Sequence, residues 1–259
     1  MEPGASNPTT DGWVAELRRA VDRGELVAYF QPEYDLASGR PVAFEALCRW
    51  LHPDRGVIMP DRFIPVAEVS GLLGDLGRAI LDQSGRRAAE WHRRGLRMGI
   101  AVNISPSQLR PAFVEAMLKI VRRLDLPRWT VTAEITETPA LQESCEEYQA
   151  MQSLIDGGVG VSIDDFGAGF TSVEGMRKIP FTEVKIDRSL MRDASPAADE
   201  LVARCVELAR ERSAVVVAEG VETSADLERA KRWRCDRAQG YYYSPAVAAE
   251  DLEPLLASA

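Results

Sequence analysis

Seven residues ill-suited to a protein core interrupt six short apolar runs of this 259-residue chain. Glu45 stands in Val-Ala-Phe-Glu-Ala-Leu, Asn103 in Ile-Ala-Val-Asn-Ile-Ser and Glu134 in Val-Thr-Ala-Glu-Ile-Thr-Glu. Asp164 and Asp165 follow Val-Ser-Ile, Lys185 sits in Val-Lys-Ile-Asp, and Glu219 ends Val-Val-Val-Ala-Glu-Gly. A carboxylate buried without compensation is costly, so five of them in apolar runs imply cations nearby. Lys185 supplies one positive charge, and two divalent ions would cancel the rest. An all-oxygen donor set lacking histidine and cysteine selects the hard metals Mg2+ or Mn2+ over Zn2+. Adjacent Asp164 and Asp165 suit a pair of ions, one carboxylate bridging while its neighbour at the strand end ligates the second. Two ions about 3.5–4 Å apart stabilise the attacking and leaving oxygens of an in-line phosphoryl displacement. Lys185 is the candidate to hold or orient the attacking water.

Such residues must converge, and strand alternation gives the means. Side chains alternate faces along a strand. Glu45, Leu47 and Arg49 therefore share one face, with Phe44, Ala46 and Cys48 on the other. By the same parity Asn103 opposes Val102 and Ile104, Lys185 opposes Val184 and Ile186, and Glu219 opposes Val216 and Ala218. Eight strand candidates follow from short β-branched runs: Leu26–Glu33, Val42–Trp50, Gly99–Ser105, Val131–Glu137, Gly160–Phe166, Glu183–Arg188, Ala214–Gly220 and Arg237–Tyr243. Amphipathic segments such as Ile80–Arg94 and Pro111–Leu124 lie between them, with Ser105 and Thr223 available as helix N-caps. Eight strands alternating with helices over about 250 residues is the arithmetic of a (β/α)8 TIM-type barrel; an open doubly wound sheet is the alternative. No linker-like stretch divides the series. Residues 1–11 read as a disordered tail and 12–259 as one domain.

Composition excludes several classes. With 31 Lys+Arg against 40 Asp+Glu, the net charge of −9 opposes binding of polymeric nucleic acid. His52 and His92 form no zinc-peptidase or His/Asp pattern, and Cys48, Cys145, Cys205 and Cys235 form no Cys-x-x-Cys pair. The four read as reduced, buried thiols of a cytoplasmic protein. No run approaches the roughly 18 apolar residues that span a bilayer, so no membrane insertion is expected. Trp91, Trp129 and Trp233 read as packing residues and His52 as a loop-shaping one, whereas Trp50 and Arg49 stand out as possible site residues.

At these positions the sequence resembles the EAL family of cyclic di-GMP phosphodiesterases. The name-giving motif stands as Glu45-Ala46-Leu47, followed by Arg49-Trp50 and His52-Pro53. In order come Gln31-Pro32, Asn103, Glu134 with Glu137, Asp164-Asp165-Phe166-Gly167, Lys185-Ile186-Asp187-Arg188, Glu219-Gly220-Val221-Glu222-Thr223 and Gln239-Gly240-Tyr241. The resemblance runs from about residue 12 to 257. It implies a barrel whose first strand is antiparallel to the rest, a homodimer, and hydrolysis of cyclic di-GMP to linear 5′-pGpG. It assigns Glu45, Asn103, Glu134 and Asp164 to one metal, and Asp164, Asp165 and Glu219 to the other. Lys185 is implied to contact the nucleophilic water, with Glu219 also suggested as general base. Arg49 is implied to meet a substrate phosphate, while Gln31, Leu47 and Asp187 contact the dinucleotide. Glu137 is implied to brace the loop after Asp165, Gln239 to contact the substrate and support the site from the last strand, and Glu222 to support the site.

Departures from the pattern fall at Ala168, Phe170 and Thr171 in that loop, and at Phe30 and Glu33, the latter replacing an aliphatic residue expected near the guanine end. The rim after Gln239-Gly240 is one residue short before Ser244-Pro245. Two rival readings compete with a phosphodiesterase. One is a catalytically silent cyclic di-GMP receptor acting through a regulatory partner; the other is an enolase-type enzyme with Lys185 as base.

Overall fold

The structure, a computed structural model, describes residues 10–136, 145–168 and 172–257. Helix α1 (Thr10–Arg23) leads into β1 (Leu26–Asp35), so the last two residues of the expected tail are helical and the rest of it lies outside the described residues. Asp35 Oδ1 accepts a hydrogen bond from the Ser38 N–H at 2.6 Å, and Gly39 takes φ +69°, turning the chain into β2 (Pro41–His52). A connection this short cannot make the crossover that parallel strands need. β1 and β2 therefore pair antiparallel, with Gln31 opposite Glu45.

A short strand β3 (Gly56–Ile58) folds back on the end of β2, a hairpin that the sequence reading does not include. His52 shapes its turn, as expected: Nδ1 accepts from the Asp54 and Arg55 N–H groups at 3.1 and 3.3 Å. Helices α2 (Pro60–Val69) and α3 (Leu73–Arg93) follow. Strands and helices then alternate through β4 (Gly99–Ile104), α4 (Pro111–Arg123), β5 (Val131–Thr136), α5 (Glu146–Asp156) and β6 (Gly160–Phe166). The order continues with α6 (Val173–Met176), β7 (Glu183–Ile186), α7 (Arg188–Arg192), α8 (Pro196–Glu211), β8 (Val215–Ala218), α9 (Ser224–Arg232), β9 (Arg237–Gln239) and α10 (Glu253–Leu256).

From β2 through β4 to β9 each strand pairs parallel with the next, and β9 closes on β1 antiparallel. The result is an eight-stranded barrel with β3 outside it. All eight expected strands are present, several of them shorter than expected for local reasons. Asp187 ends β7 early because its carboxylate caps α7, accepting from the Ser189 N–H at 2.8 Å. Gly240 ends β9 with φ +156°, where a Cβ would lie 2.2 Å from the Val221 carbonyl oxygen.

The apolar parity class of every strand faces outward. Phe44, Val102, Ile135, Ile163, Ile186 and Val216 pack against α3, α4, α5 and α8 in one continuous core. A satellite core beneath α1 gathers Leu17, Trp50, Phe63 and Leu76. Trp50 is thereby a packing residue and not a site residue: it is fully buried, and its indole N–H donates to Glu25 at 3.1 Å. Trp91 and Trp233 are buried as expected, but Trp129 is exposed beside Arg128. All four cysteines are free; Cys205 and Cys235 are buried, while Cys48 and Cys145 are only half-buried. No helix among the described residues is long and apolar enough to cross a membrane.

Phe44 lies edge-on to Phe30 at 6.5 Å and 5.1 Å from the Trp91 ring. Removing a fully buried ring leaves a cavity, so Phe44→Ala is expected to lower unfolding stability by about 3–5 kcal/mol in urea denaturation.

Candidate active site

The outward apolar face leaves the inner face to the polar parity class, and its centre is an ammonium group. Lys185 Nζ lies 2.7 Å from Glu134 Oε1, 2.7 Å from Glu219 Oε1, 3.4 Å from Glu45 Oε2 and 3.8 Å from Asp164 Oδ1. Burial acts to deprotonate this lysine, but Glu134, Glu219 and the other two carboxylates outweigh it and hold its pKa well above the ordinary value. The surrounding carboxylates thus favour the charged form of Lys185. That property opposes the enolase-type reading, which needs a neutral amine.

Glu45 is fixed from both sides. Asn103 Nδ2 donates to Oε1 at 2.7 Å, and Gln239 Nε2 donates to Oε2 at 2.6 Å. Burial would raise the Glu45 carboxyl, yet Lys185 and these two amides reverse the shift and keep it below its ordinary value. Gln239 also donates to Gln31 Oε1 at 3.2 Å, and Gln31 in turn donates to the Ser244 carbonyl at 3.2 Å. The short rim is therefore accommodated. Tyr243 and Ser244 turn back onto the Gly240 carbonyl, and the Ser244 carbonyl orients Gln31.

Glu134 and Glu219 behave differently. Burial, reinforced by the negative charge of Glu45, raises Glu134 well above its ordinary value. Burial also pushes Glu219 up to about 8 against the pull of Lys185.

Strict alternation would send Asp165 to the face opposite Asp164. The strand avoids this with an extra residue: Ile163 pairs with Val184 but Phe166 with Ile186, and Asp165 takes φ +57°. A β-bulge of this kind re-aims side chains. It brings Asp164, Asp165 and Glu219 together, with one oxygen of each within 4.8 Å of the others. Gly220 follows at φ +63°, where a Cβ would meet that of Arg188 at 2.3 Å. Asp164 Oδ1 and Glu134 Oε2 are buried without a hydrogen-bond partner. Unpaired carboxylate oxygens in an all-oxygen ring fit hard divalent cations.

The ring opens at the carboxyl ends of the parallel strands, the usual functional face of such barrels. A cleft of about 380 Å3 there is lined by Gln31, Glu45, Leu47, Asp165, Asp187 and Glu219, among others. Glu45 and Leu47 also border an adjoining apolar cavity of about 510 Å3 that reaches Pro60, Ile64 and Ile80.

Two other sequence candidates stand apart from the ring. The Arg49 guanidinium lies 5.5 Å over the Tyr29 ring and donates to the Cys48 carbonyl at 2.9 Å. Glu222 borders the cleft but pairs with Arg192 at 3.0 Å. Glu137, with Phe170 and Thr171, lies outside the described residues. Contrary to expectation, Glu33 does not face the mouth: it is buried with Glu183 and Arg237 one layer below the ring, because β1 runs against the other strands and carries residues after Gln31 away from the mouth.

The EAL domain family matches residues 14–246. This chain belongs to that family. It is 35% identical over 241 residues to the bifunctional diguanylate cyclase/cyclic di-GMP phosphodiesterase MucR of Pseudomonas aeruginosa, covering 92% of this chain and 35% of that protein. It is 31% identical over 230 residues to the cyclic di-GMP phosphodiesterase PA2567 of the same organism, covering 88% of this chain and 39% of the relative. The EAL domain thus spans little more than a third of the length of either relative. A solved structure described as the PaMucR phosphodiesterase in complex with c-di-GMP superposes with a TM-score of 0.85 at 34% identity, covering 93% of this chain and 99% of that one.

The carboxyl shifts of this EAL domain predict its metal-free behaviour. Glu219 at about 8 and Glu183 at about 7 hold protons in the folded chain that the unfolded chain releases near 4.5, so stability declines as pH rises through that interval. In EDTA the melting temperature is expected to fall between about pH 6 and about pH 8.5, and saturating Mg2+ or Mn2+ should flatten the decline. A metal-free melting temperature that rises with pH would contradict this charge arrangement.

Proposed function

We propose that this EAL domain is an active cyclic di-GMP-specific phosphodiesterase that opens the cyclic dinucleotide to linear 5′-pGpG. The observation that carries the reading is the undiminished set of oxygen donors converging on Lys185. Glu45, Asn103, Glu134 and Asp164 would hold one Mg2+ or Mn2+, and Asp164, Asp165 and Glu219 a second. When bound, the two ions supply electrostatic stabilisation to the attacking and leaving oxygens.

The chain's own groups do the rest. The Lys185 ammonium donates a hydrogen bond to the attacking water and orients it. Glu219, ionised beside the bound cations, is assigned to receive the water proton. The water oxygen bonds to phosphorus as the P–O3′ bond breaks and the departing O3′ takes up a proton from solvent, leaving a 3′-hydroxyl and a 5′-phosphate on the linear product. Gln31, Leu47 and Asp187 line the cleft where the dinucleotide would sit, and Arg49 is assigned to a phosphate. Gln239 is better assigned to positioning Glu45 than to touching substrate, since both its donated bonds stay within the site. Glu137 is assigned to bracing the loop after Asp165 and Glu222 to supporting the rim. We extend the reading to a cytoplasmic homodimer comprising residues 12–259 and open to a regulatory partner.

Incubating the purified chain with cyclic di-GMP and Mn2+ should yield 5′-pGpG. Tight binding with no product would replace the enzyme by the receptor. Glu45→Ala is expected to abolish turnover with an unchanged circular dichroism spectrum. Lys185→Ala, assayed in saturating Mn2+, should lower kcat by about 10²–10⁴-fold with a much smaller change in KM; equal losses in both would make the lysine a structural residue.

A further inference from the structure

Beneath the Lys185 ring the barrel holds a second charged layer. Arg237 Nη1 lies 3.2 Å from Glu33 Oε2 and 3.1 Å from Glu183 Oε2. The two carboxylates are 1% and 4% exposed, at a level where barrels ordinarily carry branched apolar side chains. Each uses Oε2 on Arg237 and leaves Oε1 buried with no hydrogen-bond partner. Ser162 Oγ is likewise fully buried with no close hydrogen-bond partner, and it lies beside the Glu183 carboxylate. Strand register sets Ser162 between Glu134 on one side and Glu183 on the other, all three on the inner face. Oxygens of Glu33, Glu134 and Glu183 lie within 4.8 Å of one another.

Charge is unbalanced here as well. Glu33 and Glu183 face a single guanidinium, and the cation nearest Glu134 is divided among four carboxylates. Burial and the neighbouring Glu33 charge push the Glu183 carboxyl up to about 7, a sign of uncompensated negative potential.

We propose that Glu33, Glu134, Glu183 and Ser162 form a cation site inside the barrel, one layer below the phosphodiester-cleaving ring and sharing Glu134 with it, for a hard ion of the size of Na+ or Ca2+. The donors are carboxylate and hydroxyl oxygens only, as hard ions require. Oxygens within 4.8 Å of one another can all reach an ion of Ca2+ size at about 2.3–2.6 Å, and Mg2+, which keeps several of its waters, suits a cage of buried protein oxygens less well. An entry path exists. A cavity of about 440 Å3 on the amino-terminal face of the barrel is lined by Glu33, Glu183, Arg237, Thr132 and Thr182.

The test is the stability of EDTA-treated protein at constant ionic strength, with NaCl exchanged for choline chloride, or with CaCl2 or MgCl2 added. Wild type is expected to gain melting temperature saturably with Na+ or Ca2+, and to lose that increment in both Glu33→Gln and Ser162→Ala while keeping its response to Mg2+. A response to Na+ alone identifies the monovalent ion; if Ca2+ is the ion, equilibrium dialysis should find one fewer bound per chain in each variant. Identical Na+ and Ca2+ responses in wild type and variants would overturn the site, as would a wild type indifferent to both, since a buried water then fills the gap. Should Glu33→Gln fail to fold, Ser162→Ala carries the comparison. No cyclic dinucleotide enters this experiment, so its outcome is independent of the phosphodiesterase assay.

Discussion

One ammonium group surrounded by four carboxylates is the constraint on which the rest of the molecule depends. Such a cluster is unfavourable in isolation, because each charge loses its water and the negative ones repel. It persists only if a rigid frame sets every separation, and the closed sheet is that frame. Glu45, Glu134, Asp164, Lys185 and Glu219 come from β2, β5, β6, β7 and the end of β8, so none can relax without breaking strand pairing on both sides. The apolar outer faces, packed on the helices, supply the stability that the charged interior does not.

The polar amides complete the arrangement. Asn103 and Gln239 hold the two oxygens of Glu45 in opposite directions, and Gln239 is itself tied through Gln31 to the rim. A carboxylate fixed this way stays ionised and keeps its orientation, as a preorganised ligand must. Glu134 and Glu219 have no such clamps and respond to charge by rising in pKa. Two classes of carboxylate thus share one ring: one held by hydrogen bonds, the other governed by the ions around it.

Much of this was legible from residue order alone. Alternation assigned Glu45, Asn103, Lys185 and Glu219 to the inner face, and all four are there. The converging face therefore required no tertiary information. Alternation also fails where the structure departs from it. Consecutive Asp164 and Asp165 cannot both face inward on a regular strand, and alternation alone gives no sign of the bulge that allows it. Direction is the second thing alternation does not give, and it entered only through the family resemblance, which implied an antiparallel first strand. Glu33 sits two residues past Gln31, and only the reversal of β1 reveals that this step leads away from the mouth. Glu183 and Arg237 stand two residues before Lys185 and Gln239, so the same alternation pointed to the lower charged layer once the polarity of each strand was known. The β3 hairpin was hidden by its length of three residues.

The left-handed backbone of Asp165 has a consequence for which sequences this site can tolerate. The site needs a side chain that both reaches its neighbours and accepts positive φ, and among acidic residues only aspartate combines a short reach with reasonable ease in that region. A glutamate there keeps the charge but adds a methylene to a cluster already within 4.8 Å, and a β-branched residue opposes the backbone itself. The pair of adjacent aspartates therefore records a backbone geometry as much as a ligand requirement. Drift at the second position is restricted twice over, by conformation and by charge.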